Sequence, residues 1–194
     1  MPHETAPKTS QEPRTFVLVA VLLFVVTTVV FWNVTRCDFV NYDDDLYVTG
    51  NAWVRQGLTW KGLAWAFDWR DCVYWHPVGW LSHMLDVECF GMNAWGHHLT
   101  NLLLHAGNGV LLFALLRRMT GALWRSAIVA ALFALHPLRV ESVAWITERK
   151  DVLSGFFGLL SLIFYARHAQ SRVDNQPASI GNYLLALLFF ALGL

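Results

Sequence analysis

The sequence predicts an all-α fold, a polytopic membrane helical bundle, and three observations carry that expectation. The 194 residues are 56% hydrophobic and only 14% charged, whereas an ordinary soluble domain carries about 25% charged residues. Mean hydropathy is +0.41. The apolar residues are gathered into separate runs, the first of them close to the roughly 20 residues that a membrane-crossing helix needs. Formal net charge is +0, so there is no electrostatic footprint for a nucleic acid.

The first run, Thr15–Val34, is uninterrupted. It is longer than the apolar core of a signal peptide, about 7–15 residues, and no small-x-small cleavage site follows it, so it is expected to stay as a first span. Further spans are expected at about 97–116, 126–138, 152–166 and 183–194, the third and fourth short. The last run ends on Leu194 with no polar exit, and a chain truncated at its C-terminus is the expectation there. The spans divide the rest into residues 1–14, a long first outer loop at 35–96 and a second outer segment at 139–151.

Charge sets the expected orientation. The loop after the second span carries Arg117, Arg118 and Arg125 and no acid. The opposite side carries Asp38, Asp43, Asp44, Asp45, Asp86, Glu141 and Glu148 among others. Lys and Arg near short loops mark the cytoplasmic face, which puts residues 1–14 in the cytoplasm and the acidic loops outside. Cys37, Cys72 and Cys89 all fall in the first outer loop, where a disulfide is permitted. One bridge in any of three pairings, or three free thiols, satisfies the count.

A loop of that length has structure of its own. Trp53, Trp60, Ala64 and Phe67 recur at helical spacing after Asn51, predicting one amphipathic helix that lies in the membrane interface. A second is expected from Pro77 to Phe90, with Pro in its first turn and Gly91 as its stop. Seven of the ten tryptophans lie in this loop: Trp53, Trp60, Trp65, Trp69, Trp75, Trp80 and Trp95. Head-group anchoring explains such a belt, and stacking on sugar rings is the competing use.

His136-Pro137 ends the third span early, and HPLRVESVAWITERKD follows. Read as one helix, this segment stacks Glu141, Trp145 and Glu148 at i, i+4 and i+7, sunk toward the bilayer where protein or a water-filled cavity surrounds it. The triple acid Asp43-Asp44-Asp45 admits three uses. One carboxylate raised by its neighbours is a general base. The group is a set of oxygen ligands for a divalent cation. Or it is an Asx-type turn after the membrane exit. Arg149 and Lys150 suit a lipid-borne phosphate, Arg bidentately and Lys as a point charge, or pair locally with Glu148 and Asp151. His98 and His105 share a helix face, for which hydrogen bonding between helices is the expected use, with a metal or haem the alternative.

Four stretches together resemble a known family: FVNYDDDLYVTGN at 39–51, HPVGWLSHMLD at 76–86, WGHHLTNLLLHAGN at 95–108 and HPLRVESVAWITERKDVLS at 136–154. They are similar to the bacterial relatives of the transmembrane and tetratricopeptide-repeat protein O-mannosyltransferases, polytopic glycosyltransferases of the GT-C class. The resemblance implies a GT-C bundle in a bacterial inner (plasma) membrane. It implies transfer of a hexose, mannose by analogy, from a polyprenyl-phosphate carrier to an acceptor hydroxyl on a protein or glycan. The family's acidic pair falls on Asp43 and Asp44, one of them the catalytic base. Substrate binding falls on Asp45, His136, Glu141, Arg149, Lys150 and Asp151, with Arg149 at the carrier phosphate and Glu141 at the acceptor. If a divalent cation such as magnesium or manganese takes part, Asp44 and Glu141 are its candidate ligands. The family has about twice as many spans and ends in repeats, so these residues alone are expected to be inactive. The alternative function is a non-catalytic membrane subunit or assembly factor with an interfacial loop.

Overall fold

The computed structural model describes residues 12–70, 75–173 and 179–194. It is all-α, with no strand among the described residues. Among the described residues, three helices are long and apolar enough to cross a membrane, Pro13–Arg36, Ala94–Thr120 and Ile146–Val173.

Helix α1 (Glu12–Phe31) is rich in valine, a weak helix former in water. In lipid the backbone has no other partner than itself, so such a run is helical regardless. Two of its threonines are satisfied within the helix: Thr27 and Thr28 donate to the Leu23 and Phe24 carbonyls at 2.7 and 2.8 Å. One face packs on the central helix α4 (Ala94–Thr120), with Phe16 stacked on Phe113 at 5.0 Å. Val17, Leu18, Val21, Leu22, Val25 and Val29 point away from the protein.

The chain between α1 and α4 forms a cap with its own core. A wide turn at Asp45–Thr49 closes with the Gly50 N–H donating to the Asp45 carbonyl at 2.7 Å. Helices α2 (Trp60–Phe67) and α3 (Pro77–Phe90) follow. The amphipathic helix expected to run on from Asn51 is instead broken. A short 3-10 turn, Val54–Gln56, ends at Gly57 with φ 70°, and α2 starts afresh behind the Thr59 cap, whose hydroxyl accepts from the Gly62 N–H at 3.0 Å. Only glycine adopts that backbone without strain. A Cβ there would also stand 2.5 Å from Glu88 Oε2. Gly57→Ala is therefore expected to lower stability by about 1–3 kcal/mol, read as an earlier thermal transition in detergent. An unchanged transition would mean the break is not built on this φ.

The tryptophans divide in a way that neither anchoring nor sugar stacking foresaw. Trp53 stacks on Trp65 at 6.1 Å, Trp65 tilts against Trp80 at 5.2 Å, and Trp80 stacks on Tyr47 at 4.6 Å. With Val48, Val54, Ala66, Met84 and Ile146 they are the core of the cap. Trp60, Trp69, Trp75 and Trp95 remain exposed.

Beyond α4 come α5 (Leu123–Ala134), α6 (Arg139–Ala144), α7 (Arg149–Val173) and α8 (Ile180–Leu192). At 1.5 Å per residue, the 12 residues of α5 reach only about 18 Å, short of the roughly 30 Å hydrocarbon layer. By contrast α7 is a full-length helix beginning at Arg149, three residues before the expected fourth span at 152–166. The single helix expected through 136–151 is two: Trp145 is extended (φ −86°, ψ 119°), and a 3-10 turn, Ile146–Glu148, links α6 to α7. Glu141, Trp145 and Glu148 therefore do not form one helical stack.

Backbone carbonyls of α5, of the turn at Trp145 and of α7 accept from, or face, polar side chains of α4. His105 Nε2 lies 2.9 Å from the Ala134 carbonyl. The Asn101 amide donates to the Trp145 carbonyl at 3.2 Å, and the Asn108 amide to the Val152 carbonyl at 2.9 Å. Polar side chains within an apolar helix thus act as inter-helix ties. Serines do the same between α7 and α8, where Ser161 donates to the Ala186 carbonyl at 2.8 Å.

Candidate active site

The acid triad and the second motif meet. Asp44 is 1% exposed. Its Oδ1 accepts from the Thr147 hydroxyl at 2.7 Å and the Thr147 N–H at 3.1 Å, and its Oδ2 accepts from the Val40 N–H at 2.8 Å. This carboxylate ties two segments 103 residues apart in sequence. The Tyr42 ring packs beside Trp145 at 5.6 Å, and the Lys150 ammonium lies 5.9 Å from the Tyr47 ring. Both Asp44 oxygens are thus occupied by protein donors and sealed from solvent. Asp43, next to it, is half-buried. Asp45 is exposed and accepts from the Leu46 N–H at 2.9 Å.

The second motif is split by burial. Lys150 is half-buried and paired with Glu148 at 2.8 Å. Asp151 is exposed, 3.4 Å from the Ser142 hydroxyl. His136 and Glu141 are exposed too, and His136 Nδ1 accepts from the Leu138 N–H at 3.2 Å as a turn cap. Among the described residues, neither is hydrogen-bonded to the acid triad.

Arg149 departs most from expectation. Rather than standing free for a phosphate, it is fully buried. Its Nη2 donates to Asp86 Oδ2 at 2.6 Å and to the His97 carbonyl at 2.7 Å, Nη1 donates to the Ser82 hydroxyl at 2.7 Å, and Nε donates to Asn101 Oδ1. Asp86 Oδ1 accepts from the Thr100 hydroxyl at 2.7 Å. One guanidinium thus clamps α3, α4 and α7. Burial raises the Asp86 pKa, against the pull of Arg149 and Thr100. None of Ser82, Asp86, His97 and Asn101 was singled out as a site residue from the sequence. The available signal was an Asp and an Asn lodged in otherwise apolar helical runs, where polar groups need partners.

His83, Asp86 and His97 also place three donor atoms within 4.8 Å of one another, close enough for a metal ion. Asp86 Oδ2, however, already faces a guanidinium, so the position of a cation is filled by Arg149. The two histidines instead share an Nδ1–Nδ1 hydrogen bond of 3.3 Å. Burial, and then the Arg149 charge, push the His83 pKa well below 6.5. An unfolded His83 takes a proton near 6.5 and the folded one does not, so stability holds above that pH and falls as pH drops below it. The share of the slope that belongs to His83 is about 1.4 kcal/mol per pH unit. Denaturant unfolding across this range should be less steep by about that amount in His83→Gln; an unaltered slope in the variant would remove His83 as a contributor.

A cavity of about 300 Å³ opens between the starts of α3 and α7 and the end of α8. Phe67 and Trp75 line it with His76, Lys150, Asp151 and Ser154. Burial and the Lys150 charge lower the His76 pKa.

An all-α membrane protein is defined here, with an acidic loop locked onto a basic motif at one end of the bundle. The chain is related to the protein O-mannosyl-transferases. It is 31% identical over 149 residues to protein O-mannosyl-transferase tmtc2 of Xenopus laevis, covering 73% of this chain and 18% of that protein. It is 32% identical over 157 residues to Tmtc2 of Drosophila melanogaster, covering 77% of this chain and 17% of that protein. Mouse protein O-mannosyl-transferase TMTC1 is 30% identical over 204 residues, covering 96% of this chain and 21% of its own length. The chain therefore spans about a fifth of the length of these relatives. No family model and no solved structure matches it.

Proposed function

We propose that this chain works as, or within, a membrane glycosyltransferase of GT-C type that moves a mannose or similar hexose from a polyprenyl-phosphate carrier to an acceptor hydroxyl, on protein Ser or Thr by analogy with its relatives. The observation that carries this is the Asp44–Thr147 tie, which holds Asp43 and Asp45 against the turn that leads into Lys150. Asp43 is the base: it takes the acceptor hydroxyl proton as that oxygen bonds to the sugar carbon, while the carbon–phosphate oxygen bond breaks and the carrier phosphate leaves with the electron pair. Lys150, on the wall of the 300 Å³ cavity, meets the carrier phosphate as a point charge, and Phe67 and Trp75 offer apolar surface to the prenyl chain. Arg149 supports this wall from behind and does not touch substrate. The acidic end faces the outside of a bacterial inner membrane in this reading. The test is sugar transfer from a polyprenyl-phosphate donor by the intact membrane protein carrying Asp43→Asn. Full activity in that variant would leave a non-catalytic subunit as the better account.

A further inference from the structure

We propose that the opposite, arginine-rich end of the bundle holds one anionic glycerophospholipid head group in a cavity between α1, α4 and α7. The cavity measures about 420 Å³. Phe16, Ala114 and Ile163 give it an apolar floor, and Arg117, Arg118 and Arg167 line it as well. Gln170 adds a neutral donor, and no acidic side chain lines it among the described residues.

Arginine near a helix C-terminus is common, because it complements the helix dipole within the last turn. That accounts for Arg117, whose Nη1 donates to the Gly121 carbonyl at 2.6 Å, and for Arg118, both in the last turn of α4. It does not account for Arg167, which lies six residues before α7 ends at Val173 (173 − 167 = 6). Arg167 instead packs its guanidinium 5.0 Å from the Phe164 ring and lines the same cavity as the two arginines of α4. Arg118 and Arg167, like charges brought together from two helices, repel, and a bound anion reverses the sign of that interaction. Guanidinium groups match the oxygens of a phosphate diester bidentately. The apolar floor is contributed by three membrane-length helices, and the arginines lie toward the ends of two of them, the order of polar and apolar groups that a lipid's phosphate and acyl chains require. Basic pockets between transmembrane helices are recurrent sites for such head groups.

The experiment uses the full chain in nanodiscs of phosphatidylcholine with and without phosphatidylglycerol. Thermal unfolding is followed, and lipid retained after mild detergent extraction is measured by mass spectrometry. Wild type is expected to retain phosphatidylglycerol and to be stabilised by it saturably. Arg118→Gln with Arg167→Gln should weaken retention about twenty-five-fold, roughly fivefold per guanidinium. The control, Arg125→Gln with Arg172→Gln, removes the same charge from this end without touching the cavity lining and should retain lipid as wild type does. Equal loss in both pairs would overturn the site in favour of diffuse surface attraction. Equal stabilisation by inorganic phosphate would overturn the lipid in favour of a free anion. If the double variant does not fold, Arg167→Gln alone is read: a fivefold loss supports the site, and wild-type retention overturns it.

Discussion

Arg149→Met is expected to destabilise the protein by about 3–5 kcal/mol, the range for removing one partner of a buried ion pair. Asp86 would stay buried at 3% exposure without its cation. The Asn101 and Ser82 oxygens and the His97 carbonyl would lose their shared donor as well. Arg149→Lys keeps the charge, but an ammonium cannot present donors in a planar fork to four acceptors, so it should recover only part of the loss. Arg149→Met with Asp86→Leu should recover more, because removing both charges leaves no buried ion behind. Thermal or denaturant unfolding of the three variants decides the matter. A loss under about 1 kcal/mol for Arg149→Met would be the behaviour of a surface pair, incompatible with the clamp.

Asp43→Asn and Asp44→Asn should fail differently. Loss of a general base lowers the rate by about 10²–10⁴-fold, so Asp43→Asn should nearly abolish transfer while leaving unfolding unchanged, its side chain being half-buried and outside the clamp. Asp44→Asn turns one acceptor oxygen into a donor that faces either the Val40 N–H or the Thr147 pair. An unmatched buried polar group costs about 1–3 kcal/mol. Both stability and transfer should therefore fall in that variant, and stabilising conditions should restore part of the transfer. If Asp44→Asn loses only transfer, the two carboxylates have been assigned in the wrong order.

The membrane class was legible because burial in lipid writes itself into composition, and the apolar runs at α1 and α4 are long enough to be unambiguous. What escaped depends on contacts far apart in sequence. Nothing local breaks the helix at Trp145; its extended backbone comes with an Asn101 amide on its carbonyl and an Asp44 carboxylate two residues on. The break at Gly57 did have a local sign, a glycine ahead of a Thr cap, and the tryptophan spacing across it was misleading. Arg149 looks like a surface charge at the foot of an apolar run, and only the fold brings Ser82, Asp86 and Asn101 around it. The acid triad was visible as a candidate site, yet sequence could not sort the three carboxylates. Their neighbours in the chain are alike, and their burial is set by Thr147, 103 residues later.

That separation has a consequence in time. At about 5–20 residues per second of synthesis, Asp44 waits about 5–20 seconds for Thr147 to be made, and Asp86 waits for Arg149 across 63 residues. Until residues 146–149 are made, Asp44 lacks its Thr147 donors, Asp86 lacks its cation, and the aromatic core lacks Ile146. Closure of the cap therefore depends on chain made last, so a chain cut before residue 146 is expected to keep the loop after α1 sensitive to added protease, and one extended through α7 to lose that sensitivity.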